Sequence, residues 1–395
     1  MLDLPPTRAA GLDRLEAFVP KAGQDYAGGR NADDSENGYP AVSVLSPWLR
    51  HRLVTEEEVL TAVLARWAPS TAQKFVSEVY WRTYFKGFME LRPALWSGYQ
   101  ADLRQRLDRV QTESGLRSEW EAACRGETGY EAFDHWARQV VEAGYVHNHA
   151  RMWFASLWTH TLGLPWELGA DFYLRHLIDG DPASNTLSWR WVVGLHTQGR
   201  TYLARNGNIA RYTNGRFAPD DRLAKQADVA EGMPNPPPGP APEGDDWRGA
   251  DGVLLHEDDL WADHLFPAME GAPIAVLLSP EGRSPLKVSP KVLDWTRAAA
   301  EDVVRTRGLS PRWLSSPEEA AAWAADEGLK KVVAPYAPAG PAADSIAAAR
   351  KTGLPLVQAL RPYDAAAWPL ATAGFFKLKK AIPKLTEHLR RRDAA

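Results

Sequence analysis

From the N-terminus to about residue 220, apolar and aromatic side chains return every three or four positions, as in Glu57–Trp67, Ala72–Glu90, Ala132–Ala143 and His149–Thr161. That period belongs to helices with one buried face, and no segment of this half alternates as a strand does. The pattern stops at EGMPNPPPGPAPEGDD, residues 231–246, where packed proline and glycine cannot hold a helix and favour an extended, semi-rigid spacer. Beyond it, the short apolar runs 252–256, 273–279, 330–336 and 354–360 alternate with helical segments. Ser289-Pro290 and Ser316-Pro317 open two of those helices, and Gly308, Gly328 and Gly353 mark helix ends. Strand-length runs separated by helices predict a parallel sheet with crossover helices. The chain therefore divides into a mainly α domain over 1–225, a Pro/Gly-rich linker over 226–248, and a smaller α/β domain over 249–395 with a doubly wound sheet. A separate core is expected on each side of the linker.

Composition narrows the chemistry. The single cysteine, Cys124, excludes an internal disulfide framework and any cluster of thiolate ligands, so redox work would need a bound organic cofactor. A net charge of -4 argues against a protein that coats nucleic acid over its whole surface, but leaves room for a local basic patch. No run reaches the roughly 18 apolar residues of a membrane helix, and the start has no apolar stretch of signal-peptide length. A cytoplasmic monomer that does not touch the membrane is expected. The chain holds 17 tryptophans. Either they fill large aromatic cores or some of them line a pocket for flat ligands.

Position decides between those readings at four places. In Ala41–Leu49, Ser43 and Ser46 precede Pro47, which pre-forms a first helical turn, so their hydroxyls and nearby N–H groups suit either a phosphate or a plain N-cap. Helical spacing puts Phe75, Glu78, Trp81 and Arg82 along one face, a mixture expected of a pocket wall or of a buried Glu–Arg pair. His147–Met152 opens another helix with Asn148, Arg151 and Met152 on one side. His147 and His149 are two apart instead of four, so no metal is expected there. Leu177–Trp191 packs Asp179, Asp181, Asn185, Trp189 and Trp191 into one turn and helix start without the ladder of a calcium loop. These acceptors suit ribose hydroxyls or the N–H groups of a flavin.

Two further features bear on partners. No acidic residue lies between Ser184 and Phe217, whereas Arg190, Arg200, Arg205, Arg211 and Arg216 recur, as in a nucleic-acid backbone track or an ordinary solvated face. The first strand of the α/β domain runs into His256-Glu257-Asp258-Asp259-Leu260, not into a glycine-rich turn, so a dinucleotide has no close backbone approach there.

In order and spacing, these motifs resemble the FAD-binding domain of the DNA photolyase and cryptochrome family over roughly residues 5–217. The most specific pieces are Gly144–Met152, Leu177–Asp181 and the Trp189–Trp191 pair. The resemblance implies FAD as cofactor, with Tyr26, Ser43, Leu45 and Ser46 along its phosphates and Phe75 packed on it. Asn148, Arg151, Asp179 and Asp181 would hold the isoalloxazine and ribitol, and Asn185 would face N5. Glu78, Trp81, Asn148, Met152 and Trp191 would form the catalytic cavity for a flipped pyrimidine dimer, with Arg30, Arg82 and His149 near the DNA. Trp189 and Trp166 match the first two members of an electron-transfer chain. The third, due between about Ala101 and Ser118, is missing, and Tyr99, Trp96 or Trp120 are the substitutes at hand.

Val42 and Val44 replace polar residues of the family's phosphate loop, and Pro182 enters the aspartate turn. Residues 250–380 resemble the family's antenna-binding α/β domain, which the family places first. Here it follows the flavin domain, and its arginine-rich strand end is acidic, which leaves the antenna chromophore unknown. The implied function is light-driven repair of pyrimidine dimers in damaged DNA, the work of a deoxyribodipyrimidine photolyase-like carbon–carbon lyase. A blue-light photoreceptor without repair activity is the alternative.

Overall fold

The computed structural model describes residues 2–387 and Leu389. Its first half is helical, and the helix ends follow local chemistry. Thr7 caps Arg8–Phe18 by accepting from the Ala10 N–H. Thr55 and Glu58 form a reciprocal capping box at the start of Glu56–Arg66. Gln73–Glu90, Asn148–Ser156, Trp166–His176 and Pro182–Val192 are the helices that later meet at the site. Asp181 opens the last of them, its carboxylate accepting from the Ser184 N–H ahead of Pro182. Among the described residues, no helix is long and apolar enough to cross a membrane.

The second half is a five-stranded, all-parallel sheet of β1 (Gly252–Leu255), β2 (Ile274–Leu277), β3 (Arg312–Leu314), β4 (Val332–Pro335) and β5 (Leu356–Ala359), in the order β3-β2-β1-β4-β5. Val253 of β1 pairs with Ile274 on one side and Val333 on the other. The four longer strands match the apolar runs of the sequence. The edge strand β3 escaped that reading because Arg-Trp-Leu is three residues long and carries no apolar run. The result is the anticipated fold class: a mainly α domain followed by a smaller, doubly wound α/β domain.

The expectation of separate cores is corrected. Alternate residues along a strand face opposite sides of a sheet. Val253, Leu255, Val276 and Val333 belong to the same buried cluster as the helical domain, and Trp295 of the helix Pro290–Thr306 lies in that cluster too. Trp295 donates to the Leu4 carbonyl at 2.7 Å and meets Trp48 edge-on, so the α/β domain is packed into the helical one. Leu254, Ala275 and Leu277, on the other face, form a smaller cluster with Trp323 and Ile346. The proline-rich segment has no regular secondary structure, but it is not a free spacer. Gly239 N–H donates to Leu91 O, Arg92 to Pro236 O, and Asp245 N–H to Gln358 O, each at 2.8 Å.

A shared core predicts a single cooperative unfolding transition. Gly87 sits where an added Cβ would meet the Trp368 Cα and ring at 2.9 Å, across the boundary between the halves. Gly87→Ala should therefore cost about 1–3 kcal/mol, as overpacking does, and lower the melting temperature of the whole protein in circular dichroism. Two resolved transitions, of which only one moves, would contradict the shared core.

Candidate cofactor and substrate site

The turn Leu177–Asp181 joins two of the helices named above and carries two buried aspartates. Asp179 accepts from Arg151 through Oδ2 at 2.8 Å, while Arg151 also donates to the Val146 carbonyl. The other oxygen of Asp179, Oδ1, is buried with no partner. Asp181 uses one oxygen as the helix cap and sets the other 2.8 Å from Lys86 Nζ and 3.7 Å from Arg82 Nη1. Burial alone would push its pKa up, but Lys86, Arg82 and Arg50 hold it well below the usual carboxylate range. Asn185, one turn into the next helix, donates to Ala170 O at 2.9 Å. Arg151 thus ties helix 148–156 to the turn, and Lys86 ties helix 73–90 to it.

A second wall is built around residues 43–46. Phe75 packs on Phe18 and Tyr26, with ring centroids 4.8 and 5.2 Å away. Leu45 is buried, whereas Ser43 and Ser46 are half-buried. Val44 adopts φ 52°, a left-handed conformation that a β-branched residue pays roughly 1–3 kcal/mol to hold. Arg14 Nε donates to the Ser43 carbonyl at 2.8 Å and pins this strained turn.

The residues assigned to substrate and DNA are only partly where the sequence suggested. Glu78 pairs with Arg30 at 2.7 Å, and its side chain remains 35% exposed. Burial raises its pKa against the opposing pull of Arg30. Trp81 is stacked on Phe375, centroids 3.9 Å apart and planes at 16°. Trp191 stacks on Tyr202 at 5.2 Å. Met152 is half-buried and Asn148 is exposed. His149 lies against Trp153 and Tyr212.

Arg82, expected near the DNA, turns its guanidinium inward to Glu56 at 3.2 Å and the Leu49 carbonyl at 3.1 Å. The arginine stretch after Ser184 also divides. Arg190 is buried on the Met233 carbonyl and Arg216 pairs with Asp33 at 2.7 Å, leaving Arg200, Arg205 and Arg211 exposed. Trp166 and Trp189 are both buried, and Trp166 continues into Tyr99 at 5.8 Å and then Trp96 at 5.5 Å.

Sequence reasoning missed the charges behind this site. Arg50, Arg52, Glu56, Lys86, Asp258, Asp259, Arg361 and Asp364 are all buried. Arg50 pairs with Asp258, Arg52 with Asp259 and Asp364, and Arg361 with Glu56 and Asp364. The available signal was complementarity, with basic Arg50-His51-Arg52 in one half and acidic Glu257-Asp258-Asp259 in the other.

The aspartate turn and the serine turn, both within the helical domain, are the candidate walls of a cofactor site. Residues 75–219 match the family model described as the FAD-binding domain of DNA photolyase. Over these residues the chain resembles the photolyase and cryptochrome family. The deoxyribodipyrimidine photo-lyase of Streptomyces griseus is 35% identical over 173 residues, covering 42% of this chain and 36% of that protein. A cryptochrome DASH of Idiomarina loihiensis is 26% identical over 224 residues, covering 55% of this chain and 47% of its own length. A bacterial class III photolyase structure from Agrobacterium tumefaciens aligns with a TM-score of 0.44 and 26% identity, over 53% of this chain and 43% of that one. The chain thus spans less than half the length of the curated relatives it matches. The residues present fit FAD: the orphaned Asp179 Oδ1 is an acceptor of the kind a flavin N–H needs, and Ser43 and Ser46 keep exposed surface at the opposite wall.

Behind the site, Glu257 is buried with one oxygen on the Ser279 N–H and the other without a partner. Burial, reinforced by Asp258, pushes its pKa up to about 7. The folded state therefore binds this proton more tightly than the unfolded chain, and stability falls as pH rises from the ordinary glutamate value to about 7, then levels off. Glu257→Gln should raise the melting temperature at pH 8 and leave it nearly unchanged near pH 4.5. Equal effects at both pH values would show that Glu257 is not held above its ordinary value.

Proposed function

We propose that this protein is an FAD-dependent, light-activated photolyase that repairs pyrimidine dimers in DNA. The observation that carries the reading is the convergence of helices 73–90, 148–156 and 182–192 on one turn, through Arg151–Asp179 and Lys86–Asp181. Bound FAD supplies light-driven electron donation. In this reading Asp179 and Asn185 orient the ring system, and Arg151 fixes the Asp179 carboxylate in place through their ion pair. Ser43 and Ser46 take the phosphates, and Tyr26, Leu45 and Phe75 exclude water around them.

On the substrate side, Glu78 accepts from base imide groups or, when protonated, donates to base carbonyls. Its half-exposed carboxyl and raised pKa support both roles. Met152 and Trp191 line the cavity, with Asn148 and His149 at its edge. Arg30 meets the backbone, together with the exposed Arg200, Arg205 and Arg211. The buried contacts from Trp166 through Tyr99 to Trp96 support those two residues as substitutes for the missing third member of the relay.

One observation favours the second reading, a photoreceptor without repair. Phe375 already covers a face of Trp81, where a flipped base would stack. Stacking is worth about 1–3 kcal/mol per base, so an immobile Phe375 would weaken lesion binding substantially.

The test uses FAD-loaded, chemically reduced full-length protein and an oligonucleotide carrying a cyclobutane dimer under blue light. Dimer loss is expected, with Glu78→Ala lowering repair per photon while flavin stays bound. Phe375→Ala should tighten binding to damaged DNA several-fold if Phe375 moves aside only at a cost. A protein that holds FAD but shows no repair and no preference for damaged DNA, in either form, would leave the photoreceptor reading in place. A protein that cannot be loaded with FAD would overturn both.

A further inference from the structure

In a parallel sheet of order 3-2-1-4-5, the crevice beyond the carboxyl ends of β1 and β4 is where ligands usually bind. Here a segment of the helical domain fills it. His256 reaches across the crevice to the Pro335 carbonyl of β4 at 2.9 Å. His51 Nδ1 lies 2.8 Å from the Glu257 carbonyl, and Leu260 N–H donates to the His51 carbonyl at 3.1 Å. Arg50 and Arg52, on either side, pair with Asp258 and Asp259.

Arg50 is the last residue of the short helix Ser46–Arg50, which begins at the serine turn, and its side chain is fully buried. Its Nε donates to the Gly180 carbonyl at 2.9 Å, and Gly180 stands between Asp179 and Asp181. A single arginine held by Asp258 therefore links both walls of the candidate site, the aspartate turn through its guanidinium and the serine turn through its helix. Arg283, which follows β2 and is also buried, donates to Leu177 O at 3.1 Å in the same turn. Arginine suits this role because its rigid fork fixes several acceptors at once.

We propose that the acidic end of β1 is a positioning element for the FAD site: Asp258, acting through Arg50 and seconded by Arg283, holds the serine turn and the aspartate turn in register. The α/β domain spends its ligand-binding edge on the neighbouring domain. None of these side chains need touch the cofactor. The proposal rests on the FAD reading above.

The experiment compares FAD dissociation constants and melting temperatures of full-length variants, by flavin fluorescence on apoprotein and by circular dichroism. Asp258→Asn removes the carboxylate paired with the buried Arg50 and is expected to lose both affinity and stability. The deciding variant is the double replacement Arg50→Met with Asp258→Leu. Exchanging a buried pair for apolar residues of similar volume is usually neutral or stabilising, so its melting temperature should stay close to wild type. Its FAD dissociation constant should rise tenfold or more, because the contact to Gly180 is gone. Glu90→Gln is the control. Glu90 takes the Tyr336 hydroxyl and the Ala339 N–H across the same domain boundary, hydrogen bonds that reach neither turn directly, so stability should fall while FAD affinity holds.

Wild-type affinity in a stably folded double variant overturns the proposal, as does an equal loss of affinity in Glu90→Gln at matched stability. Should the double variant not fold, Arg283→Met takes its place, with the same expected rise and the same overturning result. Wild-type protein that binds no FAD overturns the underlying reading instead.

Discussion

A chain of buried ions governs how the two halves of this molecule fit together. From Asp181 it runs through Arg82, Glu56, Arg361, Asp364 and Arg52 to Asp259, with successive N–O separations between 2.8 and 3.7 Å. Each of these groups carries a desolvation cost of several kcal/mol that only a well-placed partner offsets. Three of its links cross between the halves, Glu56 with Arg361, Arg52 with Asp364 and Arg52 with Asp259. Pulling the halves apart would break all three and leave Arg52 and Asp259 without their charged partners. The apolar contact through Trp295 and the inner sheet face supplies the attraction, and the ions supply the register.

That register explains why a segment rich in proline can join the halves without dictating their arrangement. The linker lies on the surface, tied down at Leu91 and Gln358, whereas the docking itself is made by residues 46–56 against 256–260 and 361–364. Domain order along a chain matters little when the contact surfaces carry the specificity, since chain termini lie at the surface and tolerate rearrangement.

The legible parts of the fold were those with a local cause. Helical periodicity, helix starts at Ser289 and Ser316, and strand-length apolar runs all reported neighbours close in sequence. The candidate site could be marked out in the sequence because Gly144–Met152 and Leu177–Trp191 are contiguous and carry unusual residue mixtures. What sequence could not convey were pairings of high separation: Arg50 with Asp258, Trp81 with Phe375, and Arg82 turned to Glu56. A helical wheel assigns Arg82 a face but cannot say that Glu56 waits there, so a buried Glu–Arg pair and a DNA contact read alike until the partner is located. The strain at Val44 was illegible for a different reason. Valine gives no sign of φ 52°, which tertiary contacts impose on it.

The two aspartates of the turn illustrate how such long-range pairing assigns roles within a motif. As sequence, Asp179 and Asp181 are equivalent acceptors two residues apart. In the fold, Asp181 has a partner on each oxygen, the Ser184 N–H and Lys86, and its charge is answered further by Arg82 and Arg50. It belongs to the framework, and its ionised state is fixed by cations that come from two other helices. Asp179 has one oxygen on Arg151 and one buried oxygen with nothing on it. A buried acceptor left without a donor costs about 1–3 kcal/mol, a cost that an incoming N–H donor would remove. The free energy stored at Asp179 is thus available to ligand binding, and the ion chain anchored at Asp181 is what keeps the turn from relaxing to satisfy it internally.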